Sequence, residues 1–169
     1  MHTHLISAAE LQALRQGNTP LVVFDCSFDL GQPDAADRLF AEQHIAGAQQ
    51  AHLDRDLSTH APGQAVNGGR HPLPQREALA QWLGRMGVGN DTQVVVYDRN
   101  GCHYCGRLWW MVKWLGHDAV AVLDGGLQAW LAADGKTETG TARTPTPRPF
   151  ALRAPLRQLA STEQVAQQL

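Results

Sequence analysis

The sequence predicts an α/β domain with a mostly parallel central sheet flanked by helices. Three short apolar runs, residues 21–24, 94–97 and 119–123, have the character of strands buried on both faces. Segments with the apolar spacing of helices lie between these runs. Strands that alternate with helices pair in parallel through right-handed crossovers. A length of 169 residues, 43% of them hydrophobic, is enough to bury one core of this kind.

The elements before residue 56 begin with a helix-start signal. Ser7 followed by Glu10 predicts a capping box, and Gly17 ends the helix that it opens. After the first strand, residues 34–43 are predicted to be helical, and residues 49–53 to form a short strand.

The elements after residue 56 begin with a long surface loop, residues 56–74, which is rich in His, Pro, Gly and Asn. Helices are predicted over residues 76–86, 107–115 and 127–133. The helix over residues 107–115 has a broad apolar surface, and we expect both Trp110 and the strand residue Leu123 to be buried.

Charge and composition exclude several classes of partner. A net charge of −2 and a pI near 6.4 do not indicate the excess of positive charge that binding to nucleic acid or a membrane surface needs. No run approaches the roughly 18 apolar residues of a membrane span, and the N-terminus lacks a charged region followed by an apolar run. Three cysteines do not suggest a disulfide framework, so we expect a cytoplasmic protein.

The C-terminal part predicts a linker and a second domain. Residues 137–158 have the composition of a linker, with several Thr and Pro and no periodicity. Residues 159–169 repeat the helix start at Ser7, with Ser161 in its place, about one domain length later. We therefore expect a domain over residues 1–136 and the start of a second copy at residue 159, although any helix can begin with this pattern.

The loop at residues 98–106 is the predicted site of chemistry. Ligands of parallel sheets bind outside the carboxyl ends of the strands, and this loop joins the strand at 94–97 to the following helix. It directs backbone amides and a helix N-terminus towards one point, which stabilises an anion such as phosphate, carboxylate, thiolate or persulfide.

Several motifs in the expected order resemble the N-terminal domains of tandem rhodanese and mercaptopyruvate sulfurtransferases. They are residues 44–48, 70–74, 94–98, Gly101, 107–111, 116–117, 120–127 and Trp130. The resemblance covers about residues 5–135 and implies a rhodanese-like three-layer domain. One departure is Ala46, where the family has proline.

The position of Asp98 separates this chain from the catalytic domains of that family. The resemblance implies that the sulfur-carrying cysteine stands at the first position of the loop, which is Asp98 here. A carboxylate cannot accept a sulfane sulfur, because the covalent step needs a polarisable thiolate. The resemblance also implies that the catalytic cysteine of tandem enzymes lies in a second rhodanese domain of the same chain. We therefore expect the isolated chain to be weakly active or inactive.

The activity that the resemblance implies is sulfur transfer from thiosulfate or 3-mercaptopyruvate to cyanide or a thiol, without a cofactor. It also implies that His71 and Asp54 face the catalytic loop, where an imidazole oriented by a carboxylate can assist proton transfer. His71 can equally be an ordinary surface histidine. The alternative function is an inactive binding or regulatory module that holds an anion or a partner. The residues predicted to line the substrate or anion cradle are Gly101, Cys102, His103, Cys105, Gly106, Arg107 and Arg70.

The loop cysteines leave three further hypotheses open. Cys102 and Cys105 have the thioredoxin-type spacing, and the helix N-terminus is expected to lower the pKa of Cys105. A zinc site would need a fourth ligand beyond Cys102, His103 and Cys105, so no metal is predicted. A phosphatase loop of this fold has five residues between its cysteine and its arginine, whereas only four separate Cys102 from Arg107. Cys26 follows a buried strand and is expected to be a packing residue.

Overall fold

The computed structural model describes residues 1–168. In chain order, its elements are β1 (Leu5–Ile6), α1 (Ala8–Gln16), β2 (Leu21–Asp25), α2 (Ala35–Glu42), β3 (His44–Ile45), β4 (Gln49–Gln50), α3 (Arg76–Arg85), β5 (Gln93–Tyr97), α4 (Cys105–Trp114), β6 (Val120–Leu123), α5 (Gly126–Ala132), β7 (Thr137–Glu138) and α6 (Thr162–Ala166).

The central sheet has five strands in the order β1-β6-β5-β2-β4, and all of its pairs are parallel. This arrangement confirms the predicted fold class. The register aligns Val22 with Val94 and Asp25 with Tyr97. The carboxyl ends of β2, β5 and β6 therefore meet at one edge of the sheet, and the loops that follow these strands lie side by side.

Side chains of the central strands divide the core into two layers. Val94 and Val96 of β5 pack on one side of the sheet, under α3 and α4. Val95 and Tyr97 pack on the other side, under α1 and α5. This division follows from the alternation of side chains along a strand. Within residues 1–168, none of the helices combines the length and apolar character needed to cross a bilayer.

Most predicted elements occur within one or two residues of their expected bounds, and α1 has the predicted capping box. The Ser7 hydroxyl accepts the Glu10 N–H at 3.3 Å, while the Glu10 carboxylate accepts the Ser7 N–H at 2.8 Å. Leu123 is fully buried, as predicted, but the prediction for Trp110 was wrong because this residue is only half-buried. Its ring stacks on Trp114 at the rim of the helix face, with the ring centroids 5.6 Å apart.

The segment predicted as a linker makes ordered contacts with the domain. Thr137–Glu138 pair with His44–Ile45 in an antiparallel ribbon. Further on, the Arg148 N–H donates to the carbonyl of Gly84 at 2.9 Å. Phe150 and Leu152 then pack against the core. The structure thus holds the first part of this segment against α3 and α4, and the domain boundary at residue 136 stays a prediction.

Gly116 shows how closely this segment approaches the domain. Its φ of +83° lies in the left-handed region, and a Cβ built there would meet the carbonyl oxygen of Ala154 at 2.5 Å. The short helix α6 is exposed, yet Ser161 and Gln164 form a capping box as Ser7 and Glu10 do.

Candidate active-site loop

The β5–α4 loop, residues 98–104, folds around the side chain of Asp98. Its carboxylate is fully buried and accepts four backbone N–H groups. Asn100 and Cys102 donate to Oδ1 at 2.9 and 2.8 Å, and Tyr104 and Cys105 donate to Oδ2 at 2.9 Å each. A carboxylate has about four lone-pair positions, so these four donors fill it. The anion in the predicted nest is therefore the carboxylate of Asp98 itself.

Two consecutive left-handed residues allow the loop to close on Asp98. Gly101 has a φ of +70° and Cys102 a φ of +65°. Glycine adopts this region freely, whereas cysteine does so at a cost of the order of 1–3 kcal/mol. The two N–H groups that Oδ1 accepts, from Asn100 and Cys102, lie on either side of Gly101, so the left-handed turn brings both to one oxygen.

The arginines predicted to line the cradle have their hydrogen-bond partners elsewhere. Arg107 donates to the carbonyl of Leu57 at 2.8 Å and to that of His71 at 2.9 Å. Burial lowers the pKa of Arg107. Arg70 donates to the carbonyl of Leu30 at 2.8 Å. The structure thus brings the amides of the predicted cradle together, while Arg107 fastens the loop at residues 57–71 and Arg70 lies at the surface.

His71 and Asp54, which the resemblance singled out, lie together. Nδ1 of His71 is 3.0 Å from Oδ1 of Asp54, an ion-pair distance without the alignment of a hydrogen bond. Nε2 of His71 has no hydrogen-bond partner among residues 1–168. His71 lies at the end of the loop that Arg107 holds, and Asp54 lies just before that loop. The catalytic assignment of both residues stays a prediction.

An aromatic contact that the sequence did not predict links His71 to the β5–α4 loop. The Phe28 ring meets Tyr104 edge-on at 5.7 Å and His71 at 6.4 Å between ring centroids. Phe28 follows β2, and Tyr104 precedes α4, so the ends of two neighbouring strands provide this contact. The position of Phe28, three residues after the end of β2, was the only signal in the sequence.

The three cysteines are free thiols with different surroundings. Cys26 and Cys105 are buried in the core, and Cys102 is half-buried. The packing role predicted for Cys26 agrees with its burial. The expectation of a lowered pKa for Cys105 was wrong, because burial, followed by the nearby Cys26 and Asp98, raises the pKa of this thiol. Burial and Asp98 also raise the pKa of Cys102.

Three groups of the loop could contribute ligands to a metal ion. One oxygen of Asp98 and the Sγ atoms of Cys102 and Cys105 lie within 4.8 Å of one another. His103, a candidate ligand by its position in the sequence, is exposed and is not part of the group. The contribution of Asp98 was missed because its side-chain direction depends on how the loop folds.

A parallel α/β domain with an anion nest between a central strand and the next helix defines a class of domains that do chemistry at that loop. The chain belongs to the family described as Rhodanese-like domain, whose profile matches residues 7–133.

Curated relatives include sulfurtransferases that are longer than this chain. A probable 3-mercaptopyruvate sulfurtransferase of Pseudomonas aeruginosa is 45% identical over 130 residues, which cover 76% of this chain and 45% of that protein. The 3-mercaptopyruvate sulfurtransferase of Homo sapiens is 38% identical over 146 residues, which cover 85% of this chain and 46% of that protein. The chain thus spans about half the length of these relatives.

Two solved structures are similar to this chain over most of its length. The 3-mercaptopyruvate sulfurtransferase from Leishmania major is similar with a TM-score of 0.72 and 30% identity, over 90% of this chain and 40% of that one. SseA from Escherichia coli, a 3-mercaptopyruvate sulfotransferase, has a TM-score of 0.74 and 27% identity, over 90% of this chain and 57% of that one.

Proposed function

We propose that this chain takes part in sulfur transfer from thiosulfate or 3-mercaptopyruvate to cyanide or a thiol, as the part that does not carry the sulfur. The observation that carries this proposal is the buried carboxylate of Asp98 at the first position of the loop, with four backbone N–H groups bound to it. This carboxylate cannot form a persulfide. The sulfurtransferase relatives support the reaction class.

In this proposal, His71 and Asp54 form part of the substrate wall. Asp54 lies 3.0 Å from Nδ1 of His71 and can orient the imidazole. Nε2 of His71 is buried and has no hydrogen-bond partner among residues 1–168, so in this proposal the loop around His71 opens to let Nε2 reach the substrate. At a pH near 7, an imidazole can give a proton to the leaving group when sulfur departs from the donor. Arg107 contributes indirectly, because it binds the carbonyl of His71.

The sulfur-carrying thiolate is proposed to come from a second rhodanese domain of the same chain. The relatives are about twice as long as the part that this chain matches. The capping box of α6 repeats that of α1, as a second copy of the domain would. Three free thiols suit a reducing compartment, and we include a cytoplasmic location in the proposal.

The alternative, a module that holds an external anion in the loop, has less support. The four amides that would bind such an anion already donate to Asp98. An external anion would have to displace this carboxylate and leave it buried without partners, which is costly.

Mapping the sulfur after reaction with thiosulfate tests the proposal. The full-length protein is treated with thiosulfate in the absence of acceptor, digested, and searched by mass spectrometry for a peptide that has gained one sulfur atom. We expect the sulfur on a cysteine outside residues 1–169, and none on Cys26, Cys102 or Cys105. Sulfur on one of these three residues would contradict the proposal. A full-length protein that neither gains sulfur nor forms thiocyanate from cyanide would favour the binding module.

A further inference from the structure

We propose that Cys102 and Cys105 are a thiol–disulfide site, a pair that is oxidised reversibly to an intramolecular disulfide by exchange with low-molecular-weight disulfides. The inference concerns thiols to which the proposed function gives no role, and it does not depend on that function.

The backbone between the two cysteines has the geometry that a disulfide requires. His103 and Tyr104 lie in a turn that leads into α4. The ends of such a four-residue turn have Cα atoms less than about 7 Å apart, and disulfides span Cα separations of about 4.4–6.8 Å. The two Sγ atoms already lie within 4.8 Å of each other. Formation of the bond requires the two side chains to rotate until the sulfurs are about 2 Å apart.

The two thiols differ in their access to a reagent. Cys102 is half-buried and lies in the loop, whereas Cys105 is the first residue of α4 and fully buried. Cys102 is therefore the attacking thiol and Cys105 the resolving thiol. Cys26 is buried in the core at the end of β2, where a dissolved disulfide cannot reach it.

The exchange proceeds in two displacements that balance. The thiolate of Cys102 attacks one sulfur of the small disulfide, forms a mixed disulfide and releases one small thiolate, which takes up the proton that Cys102 lost. The thiol of Cys105 then loses its proton and attacks Sγ of Cys102, and the second small thiol leaves. The protein loses two hydrogen atoms, and the small disulfide is reduced to two thiols.

A metal ion is the competing occupant of this position, and the hydrogen bonds of Asp98 argue against it. Each carboxylate oxygen of Asp98 already accepts two backbone N–H groups. A metal bound there would have to break at least one of these contacts in a buried loop. A disulfide between Cys102 and Cys105 leaves all four contacts in place.

The surroundings of the pair set its rate of reaction. Burial, then Asp98 and Asp124, raise the pKa of Cys102, against a smaller opposite effect of a hydrogen bond with Cys105. Burial, then Cys26, Asp98 and Cys102, raise the pKa of Cys105. Exchange needs the thiolate, so the oxidation is run at pH 9, above the ordinary pKa of a cysteine thiol of about 8.5.

The test is oxidation of the full chain with glutathione disulfide, followed by alkylation and peptide mass mapping. Tryptic cleavage after Arg99 and Arg107 leaves both cysteines on one peptide. We expect this peptide to lose two hydrogen atoms and escape alkylation, while Cys26 is alkylated after denaturation. Reduction with dithiothreitol should restore both thiols. Three outcomes would overturn the proposal: no oxidation at pH 9, a disulfide that contains Cys26, or stable glutathione on Cys102 of the unchanged protein.

Substitutions of the cysteines distinguish the role of Cys102 from that of Cys105 and test whether the pair binds a metal ion instead. Cys105→Ala should convert the product to a persistent mixed disulfide at Cys102, and Cys102→Ser should abolish oxidation. Cys26→Ala is the matched control and should still form the disulfide. Zinc that copurifies with the unchanged protein, and that both loop variants lose, would overturn the inference in favour of a metal site. Because the mapping of the unchanged protein needs no substitution, a variant that fails to fold leaves the test intact.

Discussion

The carboxylate of Asp98 accepts the backbone N–H of Cys105 at 2.9 Å, and this contact joins the end of β5 to the first residue of α4. Tyr104, the residue before the helix, makes no capping bond with its side chain. Asp98 supplies the missing acceptor and places a negative charge at the positive end of the helix. One side chain therefore fills the anion nest and caps the helix.

Asp98→Asn is predicted to destabilise the domain. The substitution replaces one acceptor oxygen with an NH₂ donor, so two buried N–H groups lose their partner. Each unsatisfied group costs about 1–3 kcal/mol, and we expect a loss of about 2–6 kcal/mol in the free energy of unfolding. Urea titration measures it. Asp124→Asn, at an exposed position after the neighbouring strand, is the control and should change stability by less than about 0.5 kcal/mol. Equal effects of the two substitutions would contradict the capping role of Asp98.

His71→Gln is predicted to slow sulfur transfer by the full-length protein. Loss of a general acid or base typically lowers the rate by about 10²–10⁴-fold. We expect kcat to fall by at least about 10²-fold with 3-mercaptopyruvate as donor, and Asp54→Asn to cause a smaller loss, since Asp54 only orients the ring. His60→Gln alters an exposed histidine of the same loop and should leave kcat unchanged. A full kcat in His71→Gln would show that His71 has no catalytic role.

His117 is predicted to make the domain less stable as the pH falls from 7 to 5. Burial lowers the pKa of His117, and the cations of Arg153 and Lys113 act in the same direction, against opposing backbone hydrogen bonds. The native imidazole therefore binds a proton less readily than the unfolded one, whose pKa is about 6.5. Below that pH the unfolded state takes up more protons, so the free energy of unfolding decreases.

Urea titrations at a series of pH values check this prediction. In His117→Gln the decrease between pH 7 and 5 should be smaller than in the unchanged protein. His60→Gln, which removes an exposed histidine, should keep the decrease. An identical pH dependence in all three proteins would mean that His117 does not contribute.

The parts of the fold that were predictable depend on local patterns. The apolar runs of β2 and β5 and the capping box at Ser7 are each determined within a few residues, and the structure has all three. The antiparallel pairing of His44 with Glu138 joins residues far apart in the chain, and neither two-residue strand has a periodic pattern of its own. The docking of Phe150 against His117 is similarly non-local.

The site was predictable in its position but not in its contacts. The order of strand, loop and helix located the nest at residues 98–106, because backbone amides converge there in parallel α/β folds. That Asp98 fills the nest depends on the left-handed turn at Gly101 and Cys102, which residue types alone do not determine. The prediction of a lowered pKa for Cys105 was wrong for the same reason. Burial raises this pKa, and the burial follows from the packing of α4, which is not a local property of the sequence.

Truncation at two positions is predicted to divide the C-terminal segment by its contribution to stability. Deleting residues 155–169 removes the exposed helix α6 and a contact of Arg157 with the Trp109 ring at 5.8 Å. It also removes the backbone hydrogen bond that joins the N–H of Leu156 to the carbonyl of Lys113. Leu156 and Leu159 are 43% and 42% exposed and contribute little burial. Differential scanning calorimetry should therefore show a melting temperature within about 2–4 °C of the full chain, the equivalent of 1 kcal/mol or less.

Deleting residues 147–169 should have a much larger effect. This truncation also removes Phe150 and Leu152, which pack on the core, and the backbone bond from Arg148 to Gly84. Burying two large apolar side chains contributes about 1.5–3 kcal/mol each, less when they are only half-buried. We expect a loss of about 2–4 kcal/mol on that basis. If the shorter deletion alone unfolded the protein, α6 would be an integral part of this domain, and the evidence for a second copy that begins near residue 159 would be lost.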